Sequence, residues 1–248
     1  MNALTNGFTI IVEKTNKSYH SLRDWGLAVG NKNYIGDPEL QTTYIVVPGR
    51  DGYIDASEVV SGRPIYTKRE ISIEVGGLHE RNDWDAIISG IRNKIQGRVC
   101  RIIFDNDADY YWRGRVNISE FDRNRRLGTF KISLPDAEPY KYSVYSSDEP
   151  WLWDPFNFIT GVITYLPSQQ ITGSGSITIP AGYMLTCPTI IVANITSGTF
   201  TVTVNGRTYT LSQGSNVFPS IMVGGDSDVT LNFVGTAKVQ ISYRSGSL

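Results

Sequence analysis

The sequence predicts a mainly β protein in two parts. Residues 1–142 read as a β-sandwich-like α+β domain with one helix, and residues 143–248 as a second β-sandwich. Three observations carry this. Period-2 alternation of apolar and polar residues recurs along the chain, one segment alone has a helical stripe, and charge all but vanishes after residue 150. In the 98 residues from Trp151 to Leu248 the charged side chains are Arg207, Lys238 and Arg244 against Asp154, Asp226 and Asp228. All other Lys, Arg, Asp and Glu residues precede them. The stretch 134–150, LPDAEPYKYSVYSSDEP, holds Pro135, Pro139 and Pro150 and is the natural junction.

In the first part, REISIEV (69–75) puts Ile71, Ile73 and Val75 on one face and Glu70, Ser72 and Glu74 on the other, as a half-buried strand requires. GTFKISL (128–134) repeats the pattern with Phe130, Ile132 and Leu134. RVCRIIF (98–104) and YYWRGRVNI (110–118) read as strands around a short acidic turn, after which SEFDRNRRLG (119–128) turns the chain again. The helix is placed at about 82–96, where Trp84, Ile87, Ile88, Ile91 and Ile95 form one stripe. Asn82 or Asp83 can cap its start, and Gly97 fits just past its end. A single helix among strands should lie against a sheet. The stretch 45–57, IVVPGRDGYIDAS, is a polar, Gly-rich corner between two strand-like runs.

In the second part, GTFTVTVNGRTYTL (198–211) reads as a hairpin closed by Asn205-Gly206, a pair suited to a type I′ turn. Its two-residue turn pairs Val204 with Arg207, Val202 with Tyr209 and Phe200 with Leu211, so that Phe200, Val202, Tyr209 and Leu211 share the buried face. Separate short strands are expected at 176–179, 188–192, 228–233 and 238–243, with TGSGS (172–176) as a β-turn.

Composition narrows the function classes. The chain has 248 residues, 40% hydrophobic and 19% charged, with a net charge of −1. That supports a packed core and points to neither nucleic acid nor an anionic membrane as partner. No window approaches the roughly 20 apolar residues of a membrane helix, and the first residues lack the basic and apolar regions of a signal peptide. Cys100 and Cys187 read as buried free thiols. His20 and His79 have no His or Cys at zinc-ligand spacing. Asp105-Asn106-Asp107-Ala108-Asp109 opens like a calcium loop, but Tyr110 and Val116 stand where Gly and Glu belong. No Gly-x-Ser-x-Gly elbow occurs, and the second part offers few carboxylates for glycoside hydrolysis. The reading is therefore of a protein that is not an enzyme and needs no cofactor or metal. Arg123, Arg125 and Arg126, interleaved with Glu120 and Asp122, suit a turn or a subunit contact. Trp151, Trp153 and Phe156 suit either core closure or, for the two tryptophans, stacking on a sugar.

Several of these features, in order, resemble the distal tail protein (Dit) family of long-tailed, non-contractile bacteriophages. They are the element Ser21-Leu22-Arg23-Asp24-Trp25-Gly26, VPGRDGYIDAS at 47–57, the Arg69-led strand, the single helix, the junction from Pro135 to Tyr142, and a Thr/Gly-rich end closing on KVQISYR. The resemblance implies a hexameric ring built by the N-terminal domain, a galectin-like C-terminal domain, and a place at the virion tail tip. It also implies partners: the tail tube protein, the tail-associated tip protein and receptor-binding proteins. It carries no catalytic residues. Under it, Arg50, Asp51 and Tyr53, with Arg123, Arg125 and Arg126, are expected at subunit contacts. The alternative is a carbohydrate-binding adhesion module using Trp151 or Trp153.

Overall fold

The computed structural model describes residues 7–80, 82–124, 127–149 and 165–248. The chain divides into two compact units, Met1–Lys141 and Tyr142–Leu248, and is mainly strand.

The first unit runs β1 (Phe8–Val12), β2 (Lys17–His20), α1 (Ser21–Trp25), β3 (Ala28–Val29), β4 (Tyr34–Ile35), β5 (Tyr44–Val46), β6 (Tyr53–Asp55), β7 (Arg69–Leu78), α2 (Trp84–Ile95), β8 (Val99–Phe104), β9 (Tyr110–Arg115), β10 (Asn117–Asn124) and β11 (Leu127–Ala137). One sheet has the order β9-β8-β1-β2; another has β10-β11-β7-β3, with β4 also beside β7. Their apolar rows meet in one core with α2. Phe8, Ile10, Ile102 and Trp112 come from the first sheet, and Ile71, Ile73, Phe130 and Ile132 from the second. Trp84, Ile88, Ile91 and Ile95 supply the helix stripe, as its spacing requires, while Ile87 is partly buried at its flank.

The sequence reading needs three corrections in this unit. The helix is not alone: His20 caps α1 by accepting Arg23 N–H on its ring, and Gly26 ends it in the left-handed region at φ 65°. Five residues are too few to show a periodic stripe. For α2, Asp83 occupies the cap position but its side chain makes no capping bond; Gly97 follows the helix at φ 69°, as expected. The stretch 119–128 does reverse the chain, but only between Asn124 and Leu127, where β10 and β11 pair antiparallel; residues 119–124 themselves do not turn. They continue β10 through an irregularity between Ser119 and Asp122, where Glu120 adopts φ 53°.

The second unit contains β12 (Lys141–Ser143, which begins at the last residue of the first unit), β13 (Gln169–Ile171), β14 (Ser174–Ile179), β15 (Thr189–Val204), β16 (Arg207–Leu211), β17 (Gly214–Val217), β18 (Val229–Ser242) and β19 (Gly246–Ser247). Its main sheet has the order β13-β18-β15-β16, with β14 beside β18 and β17 beside β15. The hairpin register follows the expectation from Asn205-Gly206, whose φ angles are 49° and 76°. Phe200, Val202 and Leu211 are buried; Tyr209 is half-buried.

The four separate short strands expected elsewhere are only partly separate. Those at 188–192 and 198–204 are one strand, β15, and those at 228–233 and 238–243 are one strand, β18. Gly198 and Gly235, at φ 71° and 120°, bend these strands instead of ending them. TGSGS is likewise not a reversal. β13 and β14 both run antiparallel to β18, hence in the same direction, and the Gly173 carbonyl accepts the Gly235 N–H at 2.8 Å across the break.

Candidate functional site

The feature that stands apart from both cores is an arm spanning residues 37–68, in which no residue is buried. Its root is a short ladder. Glu39 N–H donates to the Lys68 carbonyl at 2.7 Å, Thr67 N–H to the Glu39 carbonyl at 2.9 Å, and Gln41 N–H to the Ile65 carbonyl at 2.8 Å. Side chains tie this root to the first unit. Lys68 Nζ lies 2.8 Å from Asp136 Oδ1, Tyr66 meets the Tyr140 ring edge-on, and next to it the Arg69 guanidinium covers Trp112 at 4.5 Å.

Farther out, β5 and β6 pair as a two-stranded hairpin with Tyr44 opposite Asp55, Ile45 opposite Ile54 and Val46 opposite Tyr53. The loop between them holds Pro48, Arg50 and Asp51, with Gly49 and Gly52 at φ 81° and 80°. These two glycines give the corner its shape, because both adopt a conformation side chains rarely tolerate. The hairpin base is closed by Thr43 N–H donating to Ser57 Oγ at 2.8 Å and Ser57 N–H donating to Asp55 Oδ1 at 2.9 Å. The hydrogen bonds from Ser57 hold the Asp55 carboxyl below its ordinary pKa.

The arm is apolar as well as exposed. Val46 is 76% exposed, Tyr53 60%, Val59 78% and Val60 99%; Leu40, Ile45, Ile54 and Ile65 are exposed too. A two-stranded hairpin has one sheet and nothing of its own to lay against it, so its apolar side chains stay in water. So large an apolar patch is the usual mark of an interaction surface.

Arg50, Asp51 and Tyr53 all lie on this arm. Arg50 and Asp51 are exposed and form no ion pair with each other. Tyr53 packs on Tyr44 with ring centroids 4.3 Å apart. The arginine cluster is elsewhere: Arg123 is in β10, its backbone opposite Gly128, and Arg125 and Arg126 lie outside the described residues, as do Trp151, Trp153 and Phe156. The sequence singled out the corner of the arm but missed its apolar flanks, Val59 and Val60 above all. The available signal was a stretch of about 30 residues without sustained alternation, punctuated by Pro and Gly.

The other polar candidates have local partners. His20 Nε2 sits 3.2 Å from Asp105, and Lys141 Nζ lies 2.7 Å from Asp107, so two acids of the calcium-like turn are engaged in pairs. His79 Nε2 is 3.2 Å from the Trp25 carbonyl. Among the described residues no group of three or more His, Cys, Asp or Glu is set to hold a metal ion, and no helix is long and apolar enough to cross a membrane. Cys100 and Cys187 are free thiols; Cys100 is buried and Cys187 half-buried.

A mainly β chain of two units with a projecting apolar arm is thus what the geometry defines. No protein-family model matches the chain, and no curated protein matches it in sequence. Among solved structures it is similar to the crystal structure of the SPP1 Dit (gp 19.1) protein, described as a "Paradigm of Hub Adsorption Apparatus in Gram-positive Infecting Phages". The identity is 12%, the match covers 97% of this chain and 99% of that one, and the TM-score is 0.60. At that identity the likeness is one of fold.

Proposed function

We propose that this protein is a structural hub of a bacteriophage tail tip. Six copies close into a ring that joins the tail tube to the tail-associated tip protein and anchors receptor-binding components. In this reading the first unit is a β-sandwich that builds the ring, and the second is a galectin-like β-sandwich. The protein is made in the bacterial host cytoplasm and resides at the virion tail tip.

The observation that carries the reading is the arm. An apolar hairpin that its own chain leaves in water gains stability when a second copy covers it. A ring closes through a heterologous interface, in which one surface of a copy meets a different surface of the next. An arm reaching out of one copy supplies such a surface, with Arg50, Asp51 and Tyr53 at the contact. The full-coverage likeness to a tail hub fold supports the same reading.

Light scattering and negative-stain imaging of the purified protein test it. Wild type is expected to have the mass of six subunits and the outline of a pierced ring. Val60→Asp, at a position 99% exposed in the single chain, is expected to give a monomer that still folds and melts cooperatively, without the concentration-dependent stabilisation that assembly gives the wild type. A wild type that stays monomeric at every concentration, or a Val60→Asp protein that assembles normally, would overturn the reading.

A further inference from the structure

We infer that the arm of one copy docks, through its carboxylates, on a basic cleft of the next copy lined by Lys14, Arg98 and Arg115. The inference rests on the ring reading above and names the surface that receives the arm.

The cleft has a volume of about 490 Å³ and lies where three elements end together. Lys14 follows β1, Arg98 precedes β8, and Arg115 closes β9. The pairing that aligns them is direct: Val99 stands opposite Arg115, Glu13 N–H donates to the Val99 carbonyl, and Val116 N–H donates to the Arg98 carbonyl. Arg98 Nη2 donates to the Asn93 carbonyl at 3.4 Å, and Arg115 Nη1 donates to the Gly97 carbonyl. These bonds to the last turn of α2 and to Gly97 just beyond it fix both guanidinium groups while leaving most of their five N–H donors unused.

Among the described residues the only acid lining the cleft is Glu13, which is already spent. Arg113 holds both its oxygens, Nε at 2.7 Å and Nη2 at 2.9 Å. Among the described residues no carboxylate pairs with Lys14, Arg98 or Arg115. The cleft therefore offers three uncompensated cations beside the half-buried Val99.

The arm is its complement. Between Tyr44 and Val60 it carries Asp51, Asp55 and Glu58 against Arg50 alone, three negative charges less one positive, on an otherwise apolar hairpin. Among the described residues none of the three carboxylates has a cationic partner. Opposed charges of this kind set register between partners and suppress wrong ones. Arm and cleft are different patches of one unit, so joining one to the other repeats head to tail, as a ring demands.

The test is a charge exchange in the full-length protein, read by sedimentation at low and high salt. Arg98→Glu/Arg115→Glu is expected to raise the dissociation constant at least tenfold. Lys14→Glu, in an exposed turn, is expected to do so in part and serves as the control for folding. Adding Asp51→Lys/Glu58→Lys to the cleft variant in the same chain is expected to recover assembly. Assembly of both cleft variants at wild-type strength, with Val60→Asp still monomeric, would overturn the docking site and leave the ring reading standing. Failure of the exchanged arm to rescue a folded cleft variant would also overturn it, and would assign the cleft to a surface of the next copy other than the arm. A monomeric wild type would overturn both.

Discussion

Gly128 is where one methyl group should cost the first unit much of its margin. The residue lies in β11 between Gly77 of β7 and Arg123 of β10, and the indole of Trp84 rests on it. A Cβ at this position would stand 2.5 Å from Cζ2 and 2.6 Å from Cδ2 of Trp84. Carbon atoms settle at about 3.5–4.0 Å, so the ring must retreat by roughly 1 Å. It has little room, because Trp84 is fully buried, with His79 edge-on at 5.0 Å and Phe121 at 5.9 Å. Overpacking of this sort costs about 1–3 kcal/mol. For a unit of this size Gly128→Ala should lower the melting temperature by about 4–10 °C. The assay is a double-mutant cycle by thermal melting. Trp84→Ala alone should cost about 3–5 kcal/mol through the cavity it leaves. In that background Gly128→Ala should become neutral, or stabilise by about 0.4–1 kcal/mol by restricting the unfolded chain. An equal loss in both backgrounds would show that Gly128 is needed for something other than the seat of Trp84.

Other expectations follow from single groups. Arg69 is 6% exposed, and its Nε and Nη2 are buried without an acceptor; Arg69→Met should leave the melting temperature unchanged or raise it, by up to about 2 kcal/mol in stability, whereas a clear fall would mean that the guanidinium has an essential partner. The Arg113 guanidinium lowers the Glu13 pKa, so this carboxyl stabilises the fold above its unfolded pKa near 4.5, and the contribution is lost as pH falls through the lower folded value. Glu13→Gln should therefore lower stability at pH 7 and flatten its decline below about pH 4.5; parallel acid titrations of the two proteins would refute this. Burial pushes the Cys100 thiol up to about 11, so a maleimide at pH 7.5 should leave Cys100 unmodified in the native protein and label it only after denaturation.

What was legible in the sequence was local. The alternation at Ile71, Ile73 and Val75 and at Phe130, Ile132 and Leu134 marked strands whose alternate residues are buried. The stripe from Trp84 to Ile95 marked α2, and Asn205-Gly206 fixed the register of β15 with β16. Each signal is a periodicity or a backbone preference that adjacent residues enforce together. The corner at Arg50 and Asp51 was legible for the same reason, since Pro48, Gly49 and Gly52 write the turn directly into the chain.

What the sequence could not decide depends on partners distant along the chain. Gly198 and Gly235 look like strand ends, and only pairing of β15 with β18 over both sides of the irregularities makes them bends in continuous strands. Gly128 looks like a weak point in a strand until Trp84 lies against it. Val46, Val59 and Val60 stay in water because the fold leaves nothing opposite them. The amino-acid order determined which segments extend, coil or turn, because those choices are settled within a few residues. Only the tertiary structure decided which apolar faces find a partner within the chain and which remain in water, because burial is a relation between segments and belongs to no segment alone.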